Sequence, residues 1–78
     1  MHSAQQPREI DLAQVAWPFC LLELKCALEE MRPGQLLQVR VSDPSVYASM
    51  RQILATSPDR VLKAWEQGSD YLLTIAKG

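Results

Sequence analysis

Two thiols, Cys20 and Cys26, and the indole of Trp17 carry the distinctive chemistry of this chain, all within the stretch "AWPFCLLELKCALEEMRPGQ", residues 16–35. A cysteine reacts through its thiolate, and a helix N-terminus favours that anion through unpaired N–H groups and the macrodipole. The spacing predicts a helix opening at Pro18, which suits a first helical position because its missing N–H costs nothing there. Cys20 is then the third helical residue, inside the turn whose N–H groups lack intrahelical partners. The dipole is worth about 0.3–1 kcal/mol to a negative charge at such a place, although Glu23, one turn later, opposes a second one. On the helical wheel Cys20 also borders the apolar face, so a small packing residue is the competing reading. Cys26 projects to the opposite side, in line with Phe19 and Leu22, among Glu23, Glu29 and Glu30. With Trp17 at its head, this stripe reads either as scattered exposed apolar residues or as a docking surface.

Other chemistries are absent from the sequence. Six residues apart on a helix, the two thiols lie about 9 Å apart along the axis and on different faces, which argues against a disulfide. His2 and two cysteines fall short of the four ligands of a structural zinc site. No Ser/His/Asp set, phosphate-cradling glycine loop or pair of acid/base carboxylates is present, and no cofactor is expected. Eight basic residues, scattered rather than clustered, face nine acidic ones for a net charge of −1. That balance counts against a sequence-independent nucleic-acid binder. No stretch approaches the roughly 18 apolar residues of a membrane span, and the N-terminus lacks a signal peptide's apolar segment. The expected compartment is the cytoplasm, with both thiols reduced.

The elements that must position these residues follow from periodicity. Residues 1–8 read as a flexible polar tail and 9–78 as a single small domain. "EIDLAQV" (9–15) alternates as a short strand. From residue 19 to 31 the period is helical, with Leu21, Leu24, Ala27, Leu28 and Met31 on one face, and Pro33-Gly34 ends the helix. "QLLQVRV" (35–41) is a strand that buries Leu37, Val39 and Val41. Asp43 is an N-cap and Pro44 a first helical residue, opening a second helix with the stripe Val46, Tyr47, Met50, Ile53 and Leu54. "RVLKAWE" and "YLLTIA", joined by "QGSD", form an antiparallel hairpin. The order β-α-β-α-β-β predicts a two-layer α/β sandwich, both helices on one face of a mixed four-stranded sheet. Trp65 and Tyr71 either stack across the hairpin, cover the open sheet face, or serve as ordinary core and cross-strand packing residues. Arg40, Arg60 and Lys63 read as a mild basic patch or as ordinary solvated strand residues.

Taken together, "DLAQVAWP", "ALEEMRPGQLLQVRVSDP" and the terminal "YLLTIAKG" resemble the TusA/SirA family of small sulfur-carrier proteins, over nearly the whole chain from about residue 9. The resemblance rests on Asp11-Leu12 with Pro18 at the matching spacing, on Met31-x-Pro33-Gly34 at the helix end, and on Asp43-Pro44 after a strand. It implies the strand order 1-2-4-3. It also implies a persulfide relay, in which a cysteine desulfurase or other sulfurtransferase loads a cysteine in a Cys-Pro-x-Pro signature just ahead of the first helix. Here that signature reads "WPFC": the carrier position holds Trp17, followed by Pro18, Phe19 and Cys20. The family's glycine before the cysteine is Gln14, its Asp-Ile-Pro is Ser49-Met50-Arg51, and its Gly-His-Glu is Pro58-Asp59-Arg60. Tryptophan has no thiol but offers a large apolar surface with one N–H donor, a residue type enriched at protein interfaces. The leading expectation is a divergent TusA-like domain acting by protein–protein contact through Trp17, Pro18, Phe19, Leu22 and Cys26. The rival keeps sulfur carriage and assigns the persulfide to Cys20; a third reading is an RNA-binding module on the open sheet face.

Overall fold

The computed structural model describes residues 7–78. Its elements are β1 (Arg8–Asp11), α1 (Phe19–Glu29), β2 (Leu36–Val41), α2 (Pro44–Ala55), β3 (Arg60–Gln67) and β4 (Asp70–Ala76). The expected succession is therefore present, and the strands form one sheet in the order β1-β2-β4-β3. β1 pairs parallel with β2, and β4 lies antiparallel between β2 and β3. His2 and most of the tail expected over residues 1–8 lie outside the described residues; Arg8, assigned to that tail, already belongs to β1.

β1 is shorter than the alternation predicts. The Asp11 carboxylate accepts the Ala13 N–H at 3.0 Å, a local side-chain-to-backbone bond that turns the chain out of the extended state. Ile10 and Leu12 still point inward, and the Leu12 N–H reaches the Arg40 carbonyl at 2.8 Å. α1 also starts later than expected. Pro18 stands at its N-cap, with φ −93° and ψ 10°, and Phe19 is the first helical residue. Past the helix, Met31 is buried, and Gly34 turns the chain at φ 90°, where a side chain would be strained. The Gly34 N–H then donates to the Lys77 carbonyl at 2.8 Å, fastening this turn to the end of β4. α2 begins as predicted: Asp43 accepts the Ser45 N–H at 2.8 Å and Pro44 is the first helical residue.

The core lies between one face of the sheet and the two helices. Leu37, Val39 and Val41 of β2 and Leu73 and Ile75 of β4 meet Cys20, Leu24, Ala27 and Leu28 of α1 and Met50 and Leu54 of α2. Each large apolar side chain buried there contributes roughly 1.5–3 kcal/mol relative to exposure. Period-two alternation sends Gln38 and Arg40 to the other face. The same parity parts Trp65 from Tyr71, so of the readings offered the stack between them does not hold. Core packing fits Tyr71, and cover of the open face fits Trp65. Tyr71 faces the helices with Leu73 and Ile75, and its ring stacks on Tyr47 with centroids 4.7 Å apart and planes at 27°. Trp65 pairs with Leu72 on the open face, where the Lys63 ammonium lies 4.6 Å from the indole centroid. An irregularity between Val61 and Lys63 in β3 lets both Val61 and Ala64 pack against the core.

Candidate functional site

The loop from β1 into α1 presents the residues on which a functional reading turns. It is pinned by the Asp11–Ala13 bond, by the Val15 N–H on the Leu12 carbonyl at 3.1 Å, and by the Ser42 hydroxyl on the Ala13 carbonyl at 3.0 Å. At its end the Trp17–Pro18 peptide bond is cis. Trp17 is 45% exposed, Phe19 62% and Leu22 55%. Pro18 and Cys26 are exposed as well. The predicted stripe is therefore on the surface, but the structure divides it between two concavities. Trp17 lines a hollow of about 300 Å³ with residues of its own loop and with Val41, Ser42, Asp43 and Val46 at the end of β2 and start of α2. Leu22 and Cys26 line a second groove, of about 470 Å³, between α1 and β1. Leu12 contributes to both. Phe19 lies between Trp17 and Leu22 in sequence and is the most exposed of the three.

Cys20 sits differently from the sequence expectation. It is the second helical residue rather than the third, and it is 0% exposed, with Leu24 and Ala27 beside it in the core. The amides expected to be unpaired around it are occupied. The Cys20 N–H donates to the Ala16 carbonyl at 3.1 Å, and the Leu21 and Leu22 N–H groups donate to the Pro18 carbonyl at 3.0 and 3.2 Å. The helix start thus spends its donors on its own loop, leaving few for an anion at this sulfur. A thiol with no accessible surface is badly placed to exchange sulfur with another protein. This burial counts against Cys20 as the sulfur-bearing group and favours its packing role.

Electrostatically, one of the three cations considered for a basic patch on the open sheet face, Arg40, is neutralised by its neighbours. Arg40 of β2 reaches across to Asp11 of β1 and to Asp70 of β4, with its Nε 2.7 Å and its Nη2 2.6 Å from one Asp70 oxygen. The Asp70 hydrogen bond, followed by the charges of both carboxylates, holds the guanidinium above its ordinary value. The Asp11 carboxyl is held below the usual range, first by the Ala13 N–H and further by Arg40. Asp43 is lowered too, chiefly by the hydroxyl of Ser45 and then by its N–H. Only the register puts Asp11 and Asp70 on either side of Arg40, so no spacing in the sequence marks this bridge.

Sequence reasoning set Glu23 and Glu30 beside Leu22 and Cys26 but missed Arg8 and Ile10 of β1 as the other wall of the groove. The alternation of β1 and the helical wheel of α1 each mark a face, yet neither says that these faces adjoin. Leu62, 55% exposed at the irregular point of β3, is a further surface leucine. Among the described residues no group of three His, Cys, Asp or Glu side chains is placed to hold a metal ion, and no helix is long and apolar enough to cross a membrane. No protein-family model matches the chain, and no match is found among curated proteins.

Proposed function

We propose that this chain is a divergent TusA/SirA-like domain that works by protein–protein contact in a sulfur-trafficking or regulatory setting, without the carrier thiol of that family. The observation that carries this reading is the contrast at the head of α1. Trp17, Phe19, Leu22 and Cys26 are presented to solvent, while Cys20 is enclosed. Exposed tryptophan and phenylalanine beside a pocket are the residue types on which interfaces concentrate binding energy. The strand order β1-β2-β4-β3 and the Asp43-Pro44 helix start agree with what the family resemblance implies. Trp17 stands where that resemblance puts the persulfide. The partner is a protein of the relay, a cysteine desulfurase or another sulfurtransferase, and the compartment is the cytoplasm, where two unpaired cysteines stay reduced. Neutralisation of Arg40 removes a cation from the open sheet face and weakens the RNA-binding reading.

The test is intact-mass measurement after incubation with a cysteine desulfurase, its cofactor and cysteine. The contact reading expects no stable gain of one sulfur, about 32 Da, under conditions that load an authentic carrier. A gain that disappears in Cys20→Ala and persists in Cys26→Ala would establish the displaced-thiol alternative instead. In parallel, Trp17→Ala should weaken binding to the desulfurase by tenfold or more, the scale of an interface hot spot. The variant should still fold, because Trp17 lies outside the buried core cluster.

A further inference from the structure

A chain of polar contacts that begins on the open sheet face ends at the hollow beside Trp17. Asp70 of β4, its side chain 20% exposed, holds the Arg40 guanidinium at 2.7 and 2.6 Å. Arg40 in turn donates from Nη1 to Oδ2 of Asp11. The other oxygen of that carboxylate, Oδ1, accepts the Ala13 N–H at 3.0 Å. The Ala13 carbonyl accepts the Ser42 hydroxyl, also at 3.0 Å. Ala13 is therefore gripped at both of its backbone groups by side chains.

The place of these bonds gives them their meaning. One wall of the hollow is the loop from Leu12 to Trp17, and the other includes Val41, Ser42 and Val46. The Ser42–Ala13 bond joins the two walls and so fixes their separation. Leu12 and Val15 seat the loop against the core, and its other hydrogen bonds run between backbone groups. Among the described residues, the two bonds to Ala13 are the ones that side chains make to this loop. A carboxylate with a different partner on each oxygen cannot turn without losing one of them. Arg40 thereby keeps Oδ1 of Asp11 on the Ala13 N–H. An exposed loop ordered in advance costs a partner less to bind.

We infer that Asp11, Arg40 and Ser42 are positioning residues for the Trp17 contact site. They hold Ala13, and through it the hollow, in the form that a partner meets. None of the three belongs to the exposed stripe of Trp17, Phe19, Leu22 and Cys26, so they act on binding through the loop. The inference rests on the contact reading above and adds what keeps its surface ready.

The experiment reads amide order parameters on the isotopically labelled free chain and, beside them, the dissociation constant for a cysteine desulfurase. In Asp11→Ala and in Ser42→Ala the amides of Ala13, Gln14 and Ala16 should loosen from about 0.85 toward about 0.6, while those of β2 and β4 stay rigid. Binding should weaken about threefold to tenfold, the scale of one lost hydrogen bond. Ser42→Thr keeps a hydroxyl and should restore both readouts. Arg40→Met and Asp11→Asn keep an acceptor for the Ala13 N–H but lose the clamp, so each should fall between the natural chain and Asp11→Ala. If Asp11→Ala fails to fold, Ser42→Ala against Ser42→Thr decides the matter. A loop as rigid as before in the folded alanine variants would overturn positioning, whatever the chain binds; weakened binding with that rigid loop would make these side chains direct contacts of the partner. Where Trp17→Ala weakens binding, a loosened loop with undiminished affinity would overturn it too. Arg40→Met indistinguishable from the natural chain would overturn the part given to Arg40. The contact reading fails separately, if Trp17→Ala binds the desulfurase as the natural chain does, and the order parameters of the free chain then still decide whether Ala13 is held.

Discussion

Replacing Cys26 with serine leaves Cys20 as the only thiol of the chain, and its reaction with a soluble aromatic disulfide then measures how often the head of α1 opens. Cys20 has no exposed surface and shares the core with Leu24, Ala27 and Leu28. A reagent reaches its sulfur only after the first turn of α1 leaves the sheet. At about 0.05–0.15 kcal/mol per residue, a domain of this size has roughly 4–12 kcal/mol of stability. Even an opening that costs only about 4 kcal/mol leaves a reactive fraction near 10⁻³. In stopped-flow absorbance, folded Cys26→Ser should therefore react about a thousandfold slower than the same variant in guanidinium, and slower still if the opening is global. The complementary variant, Cys20→Ala, reports exposed Cys26 and should react within about tenfold of its unfolded rate. It should also lose about 1–2 kcal/mol of stability for the cavity left by the sulfur. If the two thiols of the folded protein react within tenfold of one another, burial does not protect Cys20. Protein contact then has no advantage over a displaced carrier thiol at Cys20.

Met50→Ala should cost about 2–5 kcal/mol in urea unfolding, because Met50 is wholly enclosed between α2 and the sheet. Tyr71→Leu keeps an apolar side chain facing the helices but removes the stack on Tyr47, so a loss of about 0.5–1.5 kcal/mol is expected by thermal unfolding. Asp11 and Asp43 both titrate below the usual carboxylate range in the folded chain, so the native state binds fewer protons than the unfolded one as the medium acidifies. Their contribution is complete above about pH 5 and is lost as pH falls through 4 and below. Asp11→Asn with Asp43→Asn should flatten the acid limb of the stability profile, measured by urea midpoints from pH 2 to 7. Arg40→Met should lower stability by leaving Asp11 and Asp70 unpaired, and the loss should shrink as salt is raised, since Arg40 is partly exposed.

Local signals carried much of the fold because each element has its own period and punctuation. Asp43-Pro44 specifies a helix start wherever it stands, since a carboxylate can cap the first turn and proline needs no N–H there. Pro33-Gly34 ends a helix for equally local reasons, and Gly34 does adopt a positive φ. Misreadings arose where neighbours intervene. Pro18 lies one residue outside α1, and the donors of the first turn are consumed by Ala16 and Pro18, contacts that depend on how the loop folds back. β1 stops at Asp11 because its side chain takes the Ala13 amide and turns the chain, which hydrophobic alternation does not register. The exposed stripe was legible on the helical wheel, whereas its division between two concavities was not.

By itself the sequence determined the order of the elements, the inward faces of α1, β2 and α2, and the exposure of Trp17, Phe19, Leu22 and Cys26. All of these follow from backbone periodicity and from the cost of burying polar groups, which act within a few residues. Tertiary structure alone decided that Cys20 is sealed, that Arg40 is neutralised between Asp11 and Asp70, and that the open edge of β1 borders the Leu22/Cys26 groove. Each of these depends on which strand lies beside which, and in what register. Those pairings join residues as far apart in the chain as Leu36 and Ala76, so no local pattern can encode them.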